Sequence, residues 1–268
     1  MARAPKVDIE QVRARVEKKI KRADELPLNL AMTIYGRPKV GKTRFCATAP
    51  EPLIIDCDER GTDSTRDDTN PSVARITTWS EMNDIYWYLQ SGEHPYRTVA
   101  IDTISGLQTL CMNFVLGDEL ARDASRDPDM PTRQAYGKVS QLMRTNITNF
   151  RNLEMNVIFT AHTRTRSTGE DEEDESVITG PNLSPAIYTH LLGAVGLIGY
   201  LMKREVFIRN PSTKKRRKVA RTRLLIGPSE RFETGVRYSA LSGFDHIDAP
   251  DFQNMLETIK NGKGGMSG

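Results

Sequence analysis

The chain has 268 residues, with 38 Lys and Arg against 35 Asp and Glu, a net charge of +3 and 38% hydrophobic residues. A chain this long buries a sizeable α/β core without staples, and its near-balanced charge excludes a protein whose overall charge alone announces a polyanion partner. Cys46, Cys57 and Cys111 show no metal-ligand or Cys-x-x-Cys spacing, no apolar run is long enough to cross a bilayer, and the first residues carry no apolar signal segment. Free thiols and a cytoplasmic protein with no membrane contact are therefore expected.

Residues 8–22 place Ile9, Val12, Val16 and Ile20 at helical spacing opposite a basic face. An amphipathic helix is expected, packed on the domain or on a neighbouring subunit, or else touching nucleic acid; residues 1–27 form this helix and a linker. Residues 31–35 then read as a short strand feeding Gly36-Arg37-Pro38-Lys39-Val40-Gly41-Lys42-Thr43, the pattern of a phosphate-binding P-loop opening a helix. The two glycines let the backbone turn and bring its N–H groups close to phosphate oxygens. Lys42 is placed to reach the β- and γ-phosphates, Thr43 to offer its hydroxyl to Mg²⁺, and Arg44 continues the nucleotide-contacting segment into the helix. ATP and Mg²⁺ are the expected cofactors.

After a short helix over residues 43–48, residues 53–56 read as a buried strand whose end carries Asp56, Asp58 and Glu59. Acids at the C-terminal end of a parallel strand lie where such sheets hold ligands; they either activate the attacking water or are solvated turn residues. A strand over 73–77 follows, then a helix capped by Ser80 with Met82, Ile85, Tyr86 and Leu89 inward, and with Trp79 and Trp87 expected to pack. Residues 97–103 form an apolar strand ending in Asp102, the expected holder of Mg²⁺, and a helix burying Ile104, Leu107, Cys111 and Phe114 comes next. Residues 117–134 are polar and read as a mobile loop. A helix over 136–153 leads to a strand over 156–161 ending at His162, either a γ-phosphate sensor or a hydrogen-bonded histidine at the core's edge.

Residues 163–169 are basic and 170–175 are six consecutive acids, so a mobile segment is expected. Arg164 and Arg166 either contact DNA or belong to a solvated excursion. A helix over 187–192 and a strand over 194–202 follow. Residues 205–209 and 219–226 then flank a turn-rich stretch whose tip is Lys214, Lys215, Arg216, Arg217 and Lys218. This reads as a hairpin whose tip either contacts a nucleic-acid backbone without sequence preference or is solvated. Residues 231–237 form a basic turn, and the tail is Gly/Lys/Ser-rich.

The order of P-loop, acid-ended strand, Asp102 strand, His162 strand, hairpin and Arg-bearing turn resembles the RecA-like ATPase core over residues 28–245, with residues 246–268 as a C-terminal helix and tail. It is most similar to phage-encoded RecA-like ATPases of the single-strand-annealing and recombination group. The likeness is strongest at residues 36–43, 52–58, 98–102, 136–138 and 156–162. It implies an α/β fold with a mostly parallel twisted sheet flanked by helices and a C-terminal antiparallel hairpin. It also implies ATP hydrolysis at a subunit interface, with Asp58 (Glu59 beside it) where the family's catalytic glutamate stands, His162 as sensor, and Arg237 or Arg231 as the arginine given to a neighbouring copy. Single-stranded DNA, a homo-oligomeric ring or filament, a single-strand-binding protein as partner, and the cytoplasm of a phage-bearing bacterial host complete that expectation. A ring helicase or DNA-packaging motor, and a nucleotide-gated adaptor, are the competing readings.

Overall fold

The structure is a computed structural model that describes all residues except 1–7, 23–24, 58–60, 67–68, 124, 126, 128–129, 168–176, 210–215 and 263–268, together with the side chains of 208, 209 and 217. Its strands are β1 (Ala31–Tyr35), β2 (Pro52–Asp56), β3 (Ser72–Arg75), β4 (Thr98–Asp102), β5 (Asn156–Ala161), β6 (Thr163–Ser167), β7 (Val177–Pro181), β8 (Leu197–Arg209), β9 (Arg216–Leu225), β10 (Gly235–Val236) and β11 (His246–Asp248). Its helices are α1 (Ile9–Glu17), α2 (Lys42–Ala47), α3 (Trp79–Gln90), α4 (Ile104–Arg122), α5 (Arg133–Arg151), α6 (Pro185–Ala194) and α7 (Phe252–Asn261).

The main sheet runs β11-β9-β8-β1-β5-β4-β2-β3, with β10 paired to the start of β8. From β8 to β3 every pairing is parallel, and β9 and β11 add an antiparallel edge. Strands β1, β2, β4 and β5 are continuous apolar runs because both faces of the sheet are covered. Their side chains alternate between the two layers. Tyr35, Leu53, Ile55, Val99, Ile101, Val157 and Phe159 pack under α3 to α6. Met32, Ile34, Ile54, Ala100 and Ile158 pack under α2 and α7. This is the mixed α/β architecture, mostly parallel with a C-terminal antiparallel hairpin, that the sequence implies.

Several local expectations are corrected. Helix α1 buries no residue, so of its expected partners the chain's own domain is ruled out, and Ile9 and Val16 of its apolar stripe stand exposed. The cap of α3 is Thr78 rather than Ser80, because Thr78 and Glu81 exchange the two hydrogen bonds of a capping box. Trp79 is buried as expected, but Trp87 is 67% exposed, since it falls on the solvent side of α3. Phe114 likewise points outward from α4. Residues 117–122 are the last turns of α4 and not a loop: Asp118 accepts a 2.6 Å hydrogen bond from Lys138 of α5 and pairs with Arg122 at 3.1 Å. The bond from Lys138 holds the Asp118 carboxyl below the usual carboxylate range. The segment after β5 is likewise ordered, as β6 paired antiparallel with β7. The acidic run 170–175 lies outside the described residues.

The sequence sets residues 246–268 apart as a helix and tail; within them β11 extends the sheet, and α7 buries Phe252, Met255 and Leu256 against α2 and the sheet. All three cysteines are buried free thiols. Among the described residues, no helix is long and apolar enough to cross a membrane.

Candidate nucleotide site

The P-loop leaves the C-terminal end of β1 and turns into α2. Gly36 is required there by close approach: a Cβ at that position would lie 2.4 Å from the Leu201 carbonyl oxygen of neighbouring β8. Gly41, which caps α2, has φ of 109°, a left-handed conformation that side-chain-bearing residues rarely adopt. Lys42 is buried against the loop, its Nζ donating to the carbonyls of Gly36 at 3.2 Å and Arg37 at 3.3 Å. The lysine is thereby drawn across the cradle whose walls the loop provides.

Strand β5 lies between β1 and β4, and that order builds the rest of the site. Asp102, buried at the end of β4, accepts from Thr43 Oγ1 on Oδ2 at 2.5 Å and from Thr160 Oγ1 of β5 on Oδ1 at 2.5 Å. One carboxylate thus joins the P-loop hydroxyl to the adjacent strand. A 3-10 turn, Gly61–Thr65, closes over this pair. A Cβ on Gly61 would stand 3.0 Å from Thr43 Oγ1 and 3.8 Å from Asp102 Oδ2, so glycine keeps the space beside both oxygens clear. A hydroxyl and a carboxylate flanking space that a single methyl would fill suit Mg²⁺, which takes few protein oxygens and keeps its waters. Thr43 and Asp102 would hold it, and the ion would neutralise charge on phosphate oxygens.

Nearby, Asp56 at the end of β2 is buried, accepts from Thr62 Oγ1 at 2.9 Å and sits 3.7 Å from Arg75 Nε. These partners hold Asp56 on the wall of the cleft. Asp58 and Glu59 lie outside the described residues. His162 stands just past β5, with its backbone N–H donating to Ser105 Oγ at 3.3 Å and its carbonyl accepting from Asn182 N–H at 2.8 Å.

Lys39, Lys42, Thr43, Asp102, Lys203 and Thr222 share the walls of one cleft of about 550 Å³. It adjoins a second pocket of about 280 Å³ between the outer face of α2, at Arg44, Phe45 and Thr48, and the segment Ala249 and Pro250 beyond β11. The two share Gly41, Arg44 and Thr222, so a nucleoside leaving the phosphate cradle away from Asp102 has room there.

The arginines are dispersed. Arg237 lies at the N-terminal end of β8, the end of the sheet opposite the P-loop, with its Nη2 donating to the Gly193 carbonyl at 3.0 Å. Arg231 is exposed beside β7, its carbonyl accepting from Thr179 N–H at 2.8 Å. Arg164 is exposed on β6. Arg166 is not presented outward: its guanidinium lies 3.7 Å over the Tyr188 ring and donates to the Leu183 carbonyl at 2.6 Å. In the hairpin, Arg216 and Lys218 are exposed on β9, Arg217 is described only by its backbone, and Lys214 and Lys215 lie outside the described residues. Sequence reasoning missed Thr160, Gly61, Lys203 and Thr222. A threonine inside the apolar run 156–161 is the one signal that pointed at Thr160.

A glycine-built phosphate loop with its lysine, a hydroxyl and carboxylate suited to Mg²⁺, and a parallel sheet carrying both define a P-loop ATPase-type domain. The family comparison is of the same kind: the chain belongs to the AAA domain family, whose model matches residues 28–238. No curated protein matches it.

Proposed function

We propose that this AAA-domain protein hydrolyses ATP to control its assembly on single-stranded DNA, where it promotes annealing or strand exchange in the manner of the phage-type recombination ATPases it resembles. The observation that carries the reading is the β8–β9 hairpin. Strand β8 lies against the P-loop strand from Leu197 to Tyr200 and then runs on, paired with β9, to Arg209. Its Lys203 and the opposite Thr222 line the phosphate cleft, while Arg216 and Lys218 stand exposed further out. One paired element thus has its root in the nucleotide site and its basic residues Arg216 and Lys218 in solvent. Arg237 or Arg231 of a neighbouring copy completes the site, so ATP favours the assembled form and hydrolysis releases it. Lys42 and Thr43 bind the triphosphate, and Asp102 orients Thr43.

The test is ATP turnover with and without single-stranded DNA, with Lys42→Ala as control, alongside electron microscopy of the ATP-bound complex. Turnover that rises with DNA, is abolished by Lys42→Ala and accompanies multi-subunit complexes on DNA is expected. Turnover indifferent to DNA, with no complexes on it, would sink the proposal, and directional unwinding would replace it with a motor.

A further inference from the structure

Beyond Arg223, where β11 ends its pairing with β9, the β8–β9 ladder is a two-stranded arm whose outer edges pair with no other strand among the described residues. In an antiparallel ladder directly opposite residues share a face, and residues two apart along a strand share it as well. Lys203 is opposite Thr222, Glu205 opposite Ala220, and Phe207 opposite Lys218. Lys203 and Thr222 line the phosphate cleft. Phe207 and Lys218 therefore stand on the same side of the ribbon as the cleft, about 13 Å further out at the usual rise per strand residue. Arg216, two residues from Lys218, belongs to this side too. Lys218 makes an ion pair with Glu205, which confirms that their side chains share the face.

Phe207 is 71% exposed. Cations on an unpaired strand edge have an ordinary explanation, since they keep edges from pairing with other chains. That explanation covers Arg216 and Lys218 and gives no reason for an open aromatic ring set among them. A ring flanked by cations on a narrow ribbon suits single-stranded nucleic acid, whose bases stack on aromatic side chains while its phosphates meet Lys and Arg.

We propose that the cleft-side face of the β8–β9 arm is a track for single-stranded nucleic acid, with Phe207 as a base-stacking platform and Arg216 and Lys218 as phosphate contacts. This rests on the single-stranded-DNA reading above and assigns that contact to specific residues. Glu205 acts as a competitor: it holds Lys218 until a phosphate replaces it, and a solvent-exposed pair of this kind is weak enough to be exchanged.

The experiment is fluorescence anisotropy of the full chain with labelled oligothymidylate across a salt series from about 50 to about 200 mM. Phe207→Ala is expected to weaken binding about 5- to 150-fold with the salt slope unchanged, because stacking releases no counterions. Phe207→Trp is expected to keep the affinity. Arg216→Ala and Lys218→Ala are each expected to flatten the slope by about 0.7, and Glu205→Gln to tighten binding. All four positions substituted are on the exposed arm, and unchanged thermal melts verify the fold. Wild-type binding that Phe207→Ala leaves intact, or a preference for duplex over single strand, overturns the stacking track alone. Wild-type protein that binds no oligothymidylate overturns this proposal together with the function it rests on.

Discussion

Two threonines buried in adjacent strands, Thr160 of β5 and Thr33 of β1, should respond in opposite directions to the same substitution. Both are fully buried. Thr160 Oγ1 donates to the Asp102 carboxylate at 2.5 Å, whereas Thr33 Oγ1 has no hydrogen-bond partner among the described residues. Valine is nearly isosteric with threonine, so each change exchanges a hydroxyl for a methyl and little else. Thr160→Val removes a hydrogen bond to a charged group, which costs about 1.5–3 kcal/mol. In a domain of this size that lowers the melting temperature by about 3–12 °C. Thr33→Val removes a buried hydroxyl whose desolvation is uncompensated, and stabilises by up to about 1–3 kcal/mol. Differential scanning calorimetry of the two variants beside wild type, in EDTA, reads the sign directly. Thr160 also holds Asp102 in place, so Thr160→Val should reduce the Mg²⁺-dependent part of ATP affinity and Thr33→Val should not. A Thr160→Val protein that melts with wild type, or two variants that shift in the same direction, would refute the role given to the Thr43, Asp102 and Thr160 chain.

Gly61→Ala should weaken ATP binding about tenfold in Mg²⁺ and leave it unchanged in EDTA, because its methyl would enter space 3.0 Å from Thr43 Oγ1; titration calorimetry in both buffers decides it, and equal losses would remove the glycine from the ion's surroundings. Phe252→Ala should cost about 3–5 kcal/mol in urea unfolding, since Phe252 is fully buried with its ring edge-on to Phe45 of α2 at 6.1 Å between centroids. A negligible loss would detach α7 from the fold. Burial pushes the Cys111 thiol up to about 12 and the Cys46 thiol well above its ordinary range, so the thiolate is scarce at pH 8. Both should resist a thiol reagent in the native protein and react once it is denatured; rapid native labelling at either position would contradict the packing.

What was legible in the sequence was local. Gly36, Gly41, Lys42 and Thr43 announce themselves by spacing, and Asp102 by closing an apolar strand soon afterwards. The hairpin was legible because turn residues separate two β-rich runs. What stayed hidden depends on which strands become neighbours. Thr160 matters only because β5 inserts between β1 and β4, and Lys203 lines the cleft only because β8 lies on the far side of β1. Charge misled twice. Residues 117–122 look like a loop until Asp118 of α4 meets Lys138 of α5, and residues 163–167 look mobile until β7 returns to pair with them. Arg166 reads as a surface cation in sequence, yet Tyr188, more than twenty residues later, folds beneath it. The C-terminal helix is legible, but the strand before it is not, because β11 is only three residues long, too short for periodicity to show that it extends the sheet edge.

If the nucleotide cleft and the basic arm rooted in it act as one machine, ATP binding and DNA binding are coupled. If ATP tightens the grip on single-stranded DNA by some factor, linkage requires DNA to tighten ATP binding by the same factor. Measuring ATP affinity with and without saturating oligothymidylate, in a variant slowed in hydrolysis or at low temperature, tests this directly. The expected result of this coupling is a tighter ATP affinity with DNA present, equal in ratio to the effect of ATP on DNA affinity. An ATP affinity indifferent to single-stranded DNA, in a protein that binds both, would contradict it.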